Sequence, residues 1–143
     1  MEIKKDIAMK LWNDVFKEQI WAQDCFGTWM HRDDYGIYNK TRNNRPNGTG
    51  KDFIYGWDID HIRPSSTFNK DSESNFFNNF EPMHHTNNSQ KSNGYTNFAI
   101  DNVEYRIVEC DICKKHNREG YGILKIATNK RVDWKFIQNK YYN

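Results

Sequence analysis

The residue pair best suited to hydrolytic chemistry is Asp60 and His61, which lie inside the run WDIDHIRP at residues 57–64. A carboxylate is a hard oxygen ligand that suits Mg²⁺, and an imidazole can take a proton from a water molecule. Hydrolysis of a phosphodiester needs a metal ion that takes up charge on the phosphate, a base that activates water and a group that orients the base. The pair supplies two of these three parts.

Two asparagines further along the chain can supply the rest. Asn79 and Asn88 lie nine residues apart in the stretch NFEPMHHTNNSQK, residues 79–91. Each side chain carries a carbonyl oxygen. One oxygen can hold the tautomer of an imidazole, and the other can complete a metal site.

This arrangement resembles the HNH endonuclease family. The ββα-metal motif of that family has Asp-His at the end of a first strand, Asn at the start of a second, and Asn or His on the following helix. The matching stretches here are DIDHIRP and NFEPMHHTNNSQK, and RDDYG before YGWDIDHI is similar to one bacterial and phage branch. The resemblance covers about residues 29–93. The Gly-rich turn that the family often has between the strands is replaced by STFNKDSESNFFN.

The resemblance implies a role for each of four residues. His61 would be the general base, Asp60 and Asn88 would be the metal ligands, and Asn79 would orient His61. The metal would be Mg²⁺ or Mn²⁺. Metal bound at the leaving 3′ oxygen implies products that carry a 5′-phosphate.

Four more residues near the motif have weaker signals. Arg63 and Lys91 could pair with phosphates of a nucleic acid, although solvated surface side chains are an equally good interpretation. His84 and His85 lie between the two asparagines, but the family pattern gives neither a role. We interpret both histidines as packing or secondary contacts.

A second group of metal-ligand residue types occurs in CDICKKH. Cys110, Cys113 and His116 have spacings that suit zinc, and Cys25 or another histidine would have to supply the fourth ligand. A buried or reduced pair of thiols in a hairpin turn is the alternative interpretation. An odd number of cysteines without a secretion signal argues against a disulfide framework.

Length and charge limit the class of protein. At 143 residues, with 15% aromatic residues, the chain fits a single domain over 1–143, with the motif core at about 55–93. We find no apolar run that could span a bilayer and no signal peptide, which predicts a cytoplasmic protein without a membrane partner. Residues 1–113 have a net charge of −4, whereas residues 114–143 have +6. This basic end is either a phosphate-binding face or a solvated helix.

Periodicity places these residues on elements. Apolar spacing after Asp6 predicts a helix over about 6–21, and the Gly- and Asn-rich residues 27–56 predict an irregular hairpin or a long exposed loop. The order strand, loop, strand, helix follows from WDIDHI to Gly94. Alternation in VEYRIVEC and YGILKIA predicts a hairpin, and RVDWKFIQNKYY predicts a closing helix. The fold class is therefore α+β, with a ββα-metal core flanked by an N-terminal helix and a C-terminal hairpin plus helix.

The resulting expectation is a metal-dependent endonuclease that acts on DNA, of restriction type or encoded by a phage. One ββα core cuts one strand, so cleavage of both strands calls for a homodimer or two binding events. The alternative is a non-catalytic nucleic-acid-binding module that uses the ββα scaffold and the basic C-terminal segment. A structural or interaction protein that shares the fold is a further alternative.

Overall fold

The computed structural model describes residues 2–43, 46 and 53–133. These residues have the α+β class that the sequence predicts, with short helices and antiparallel sheets. They divide into two compact units. Unit 1 contains the residues up to Asp60 together with Pro82–Ser89, and unit 2 contains His61–Glu81 together with the residues from Gln90 onwards. No helix in the described part of the chain is long and apolar enough to cross a membrane.

Unit 1 begins with helix α1 (Glu2–Phe16). Its apolar face is buried at Leu11 and Trp12 among others, as the periodicity predicts. The helix ends where Lys17 adopts the left-handed conformation, with φ of 59°. The predicted bounds of about 6–21 are therefore wrong at both ends, and Ile20 lies outside the helix with 47% of its surface exposed.

A short antiparallel hairpin follows, formed by β1 (Trp21–Gln23) and β2 (Trp29–His31). It confirms in part the irregular hairpin predicted from the turn-rich composition. The alternative of a long exposed loop is wrong at Tyr55, which is fully buried and packs edge-on against Trp21 at a centroid distance of 4.9 Å. Residues 44, 45 and 47–52 of this predicted loop lie outside the described residues.

The order strand, loop, strand, helix is confirmed by β3 (Trp57–His61), β4 (Phe80–His84) and α2 (His85–Lys91). The two strands form a two-stranded sheet. Backbone hydrogen bonds continue the pairing beyond both ends of the sheet, from His85 to the Gly56 carbonyl at 3.0 Å and from Ile62 to the Asn79 carbonyl at 2.8 Å. These bonds make the strands antiparallel.

A buried carboxylate fixes the start of α2 within unit 1. One oxygen of Asp24 accepts hydrogen bonds from the backbone of Phe26 and Thr28, and the other accepts from the His84 backbone and the Asn87 side chain. Asp24 is 1% exposed, so these bonds replace the solvation that it loses. The turn between β1 and β2 thus holds the junction between β4 and α2.

Unit 2 contains a four-stranded antiparallel sheet, in which neighbouring strands are consecutive in the chain: β5 (Phe98–Ile100), β6 (Val103–Glu109), β7 (Tyr121–Lys125) and β8 (Lys130–Arg131). Asp101 and Asn102 both have positive φ, as a two-residue type I′ turn requires. The predicted β6–β7 hairpin is confirmed, and the short helix α3 (Asp111–Lys115) lies in its connection. The predicted closing helix is wrong at Arg131, which belongs to β8, and residues 134–143 lie outside the described residues.

Gly56 offers a test of the backbone path that leads into β3. A Cβ atom at this position would lie 1.9 Å from the Ile37 carbonyl oxygen, so Gly56→Ala forces two backbone segments apart. We expect it to cost about 2–3 kcal/mol of unfolding free energy, measured by urea denaturation. Gly36→Ala is the control, because Gly36 has φ of 72° and open space around its Cβ position, and it should cost only about 1 kcal/mol. Equal costs for the two variants would contradict this packing.

Candidate functional site

Strand β3 carries the central carboxylate and imidazole at its end. Asp60 belongs to unit 1 and is 4% exposed, whereas His61 belongs to unit 2 and is half-buried. Successive side chains of a strand point to opposite faces, so a carboxylate and an imidazole at adjacent positions act on different sides of the backbone. Asp58, two residues before Asp60, shares the face of Asp60.

The His61 ring is held by contacts within unit 2. Its Nε2 lies 2.8 Å from the Asn75 side-chain oxygen, and the Phe80 ring meets it edge-on at a centroid distance of 5.2 Å. With that oxygen as acceptor, Nε2 carries the proton and Nδ1 keeps the basic lone pair. Sequence reasoning missed Asn75, because its place in a polar loop is the only signal it carries.

Asn79 holds the backbone that follows His61. Its Oδ1 accepts a hydrogen bond from the Arg63 backbone at 2.9 Å, and its Nδ2 donates to the carbonyls of Arg63 and Ser74 at 3.1 and 3.0 Å. The side chain is fully buried. Within the described residues, no hydrogen bond joins Asn79 to the imidazole, so the predicted direct contact with His61 is wrong. Asn79 bonds instead to the backbone of Arg63, two residues after His61.

Asn88, a predicted metal ligand, lies in a polar cluster of unit 1 that is centred on Asp58. Nδ2 of Asn88 donates to Oδ2 of Asp58 at 3.3 Å, and Nδ1 of His85 lies 3.1 Å from the same oxygen. The Tyr38 hydroxyl donates to Oδ1 of Asp58, and its ring stacks on His85 with centroids 3.6 Å apart. Burial, followed by the hydrogen bond to Asp58, raises the pKa of Tyr38, so the hydroxyl stays protonated as a donor.

His84 packs inside the fold, which is one of the two interpretations drawn from the sequence. His84 is fully buried, its Nδ1 accepts from the Thr86 backbone, and its Nε2 donates to the Ile54 carbonyl. Both ring nitrogens are therefore used within the fold. His85 is the contact to Asp58 described above. The period of two along β3 could have drawn attention to Asp58, but Tyr38 is 20 residues away in the sequence.

Arg63 and Lys91 both bond within unit 2. Lys91 is 1% exposed, and its ammonium donates to the His61 carbonyl at 3.0 Å, so the predicted surface position is wrong. The Arg63 guanidinium donates to Thr67 twice and to the Tyr121 hydroxyl, and it lies 4.1 Å from the Phe68 ring centroid. Three of its five N–H donors are thus engaged, which favours a structural role over phosphate contact.

The cysteine-containing segment forms the connection between β6 and β7. Cys110 and Cys113 are joined by a disulfide and are 0% and 3% exposed. The prediction that the two cysteines are buried is confirmed. The prediction that they are reduced thiols is wrong. A disulfide leaves no thiolate to bind metal, so a zinc site with His116 stays a prediction for the reduced pair only.

The predicted metal ligands Asp60 and Asn88 both belong to unit 1, and the Asn88 side chain donates a hydrogen bond to Asp58. Residues 2–43, 46 and 53–133 contain no group of three or more His, Cys, Asp or Glu side chains that could hold a metal ion. The predicted ligand set is smaller than such a group, because it consists of one carboxylate and one amide oxygen. It suits Mg²⁺, which keeps several of its water ligands in proteins.

Comparisons of the chain with protein-family models, with curated proteins and with solved structures find no match. The resemblance to HNH endonucleases therefore depends on the residues named above.

The buried Asn79 carboxamide gives a direct prediction for stability. Asn79→Ala removes three hydrogen bonds and leaves two carbonyls and one N–H of the backbone without them, so we expect a loss of about 3 kcal/mol in urea denaturation. The neighbouring Asn78→Ala is the matched control. Asn78 donates an exposed hydrogen bond of 3.4 Å to the Glu119 carbonyl, and its loss should change stability by less than about 0.5 kcal/mol. A stable Asn79→Ala variant would overturn the anchoring role.

Proposed function

We propose that the protein is a divalent-metal-dependent endonuclease that hydrolyses DNA phosphodiester bonds with a ββα-metal core of the HNH type. One observation carries the proposal. Asp60 and His61 end β3, Asn79 directly precedes β4, and Asn88 lies on the helix that follows β4 without a break. This is the order of residues and elements that the resemblance requires.

The proposed metal ligands are Asp60 and Asn88, and their chemistry fits Mg²⁺ or Mn²⁺. Nδ2 of Asn88 faces the Asp58 carboxylate, so the oxygen of the same carboxamide is the atom that Asn88 can offer to a cation. A bound metal would stabilise the charge that develops on the scissile phosphate and the leaving oxygen.

His61 is the proposed general base. Because Nε2 is engaged by Asn75, Nδ1 is the nitrogen that removes the proton from the attacking water. The Phe80 ring limits rotation of the imidazole, and the bond from Lys91 to the His61 carbonyl holds the backbone of the same residue. An oriented base of this kind contributes through geometry as well as basicity.

The proposal assigns Arg63 and Lys91 to positioning rather than to DNA. Their charged groups bond to Thr67, Tyr121 and His61, which supports a role in holding the loop after β3. The proposal therefore assigns contacts with DNA phosphates to the basic end of the chain, residues 114–143. Among its described residues, Lys115, Arg118 and Lys130 are exposed. DNA as substrate, cytoplasmic location and a homodimer remain predictions.

The experiment is cleavage of supercoiled plasmid by the full chain in Mg²⁺, Mn²⁺ or EDTA, read as nicked, linear or intact DNA. We expect cutting that requires metal and falls at least about 100-fold in His61→Ala, because the reaction loses its base. Glu18→Ala is the control, because it removes an exposed side chain in the turn after α1, outside both the proposed site and the basic end of the chain, and it should cut like the wild type.

Two results would contradict the proposal. Intact plasmid with folded wild-type protein in every metal would favour the non-catalytic binding module. Equal cutting by the wild type and His61→Ala would remove His61 from the mechanism.

A further inference from the structure

Asp58 has no role in the family pattern, yet three side chains of unit 1 converge on its carboxylate. The Tyr38 hydroxyl bonds to Oδ1, while His85 and Asn88 bond to Oδ2 at 3.1 and 3.3 Å. The Asp58 side chain is 19% exposed, so these bonds form in a partly desolvated place where hydrogen bonds to a charged group are strong.

The hydrogen bond to Asn88 decides which way its carboxamide faces. An ionised carboxylate only accepts hydrogen bonds, whereas a carboxamide has a donating end and an accepting end. Asn88 must therefore turn its Nδ2 towards Asp58, and its Oδ1 faces away from the carboxylate. Without that partner, rotation about the last side-chain bond would exchange the two ends.

The Asp58 carboxylate is itself fixed in position. Tyr38 and His85 bond to different oxygens of Asp58, and their rings are stacked with an interplanar angle of 14°. Tyr38, His85 and Asp58 therefore hold one another in position. Asp58 also lies two residues before Asp60 in β3, so both carboxylates stand on one face of the strand.

We propose that Asp58 is a positioning residue that orients Asn88 for the metal ion, and that Tyr38 and His85 hold Asp58 for this task. The inference rests on the proposed function, because it takes Asn88 as a metal ligand. Residues that orient metal ligands typically change metal affinity 10- to 100-fold when they are removed.

The test measures binding of Mn²⁺ to the full chain without DNA, from the electron paramagnetic resonance signal of the free ion. We expect Asp58→Ala to raise the dissociation constant about 10- to 100-fold. Asp33→Ala is the control in unit 1, because it removes a carboxylate that is 53% exposed and bonds to Arg32, and it should bind Mn²⁺ like the wild type.

Asp58→Asn separates orientation from charge. It removes the negative charge but keeps an oxygen that can accept from Asn88, so it should recover most of the affinity that Asp58→Ala loses. Tyr38→Phe keeps the ring stack and removes the hydroxyl, and it should weaken binding by a smaller factor. These two variants decide the matter if Asp58→Ala does not fold.

Each remaining outcome has a definite meaning. Equal affinities for Asp58→Ala and Asp33→Ala, or equal losses for Asp58→Ala and Asp58→Asn, would overturn the positioning role. The proposed function would then stand, provided that Asp60→Ala abolishes Mn²⁺ binding. A wild type that binds no Mn²⁺, or an Asp60→Ala variant that binds like the wild type, would overturn both.

Discussion

The buried carboxamide of Asn79 is the interaction on which the loop between β3 and β4 depends. Three hydrogen bonds tie it to the backbone of Arg63 and Ser74, and its own carbonyl accepts from Ile62. Ordering a connection of this length costs conformational entropy, which the burial of Ile62 and the contact between the Phe68 and Phe76 rings help to offset. Asn79 adds its hydrogen bonds to these contacts and fixes the backbone beside His61, so one side chain contributes both to stability and to the position of His61.

A second constraint acts on the other half of the proposed site. Asp24 holds the start of α2 through His84 and Asn87, and Asp58 engages Asn88 one helical position later. The short helix has no apolar residue to anchor it, so the buried carboxylate of Asp24 and the half-buried carboxylate of Asp58 supply bonds that hold it in position. Both carboxylates accept hydrogen bonds from N–H groups. Asp24 uses them to hold the fold, and Asp58 uses them to orient the Asn88 side chain.

The sequence predicts the elements that carry the site well, because their signals are local. Alternation identifies β3 and the apolar run at Phe80 identifies β4, whereas the place of Asn88 on the next helix follows from the nine-residue interval of the HNH resemblance. The bounds of α1 are harder to predict, because the left-handed residue that ends it is Lys17 rather than Gly. The short strands β5 and β8 have too few residues for a period to emerge.

Side-chain partners were not predictable, because they join positions far apart in the sequence. The bond between Asn75 and His61 spans 14 residues, and that between Lys91 and the His61 carbonyl spans 30. A lysine at the end of a polar helix is normally exposed, so the sequence does not indicate that Lys91 is buried by tertiary contacts. The cysteine pair is similar, because spacing alone suits a zinc site, a thiol pair or a disulfide.

The most direct test of the metal-dependent account is the position of a bound ion in crystals of the wild-type protein soaked in Mn²⁺. The anomalous signal of manganese identifies the ion without assumptions about its ligands. The account predicts a peak bonded to a carboxylate oxygen of Asp60 and to Oδ1 of Asn88, with water filling the other positions. A peak that contacts neither residue, or no peak at a concentration that saturates other Mn²⁺ sites, would contradict it.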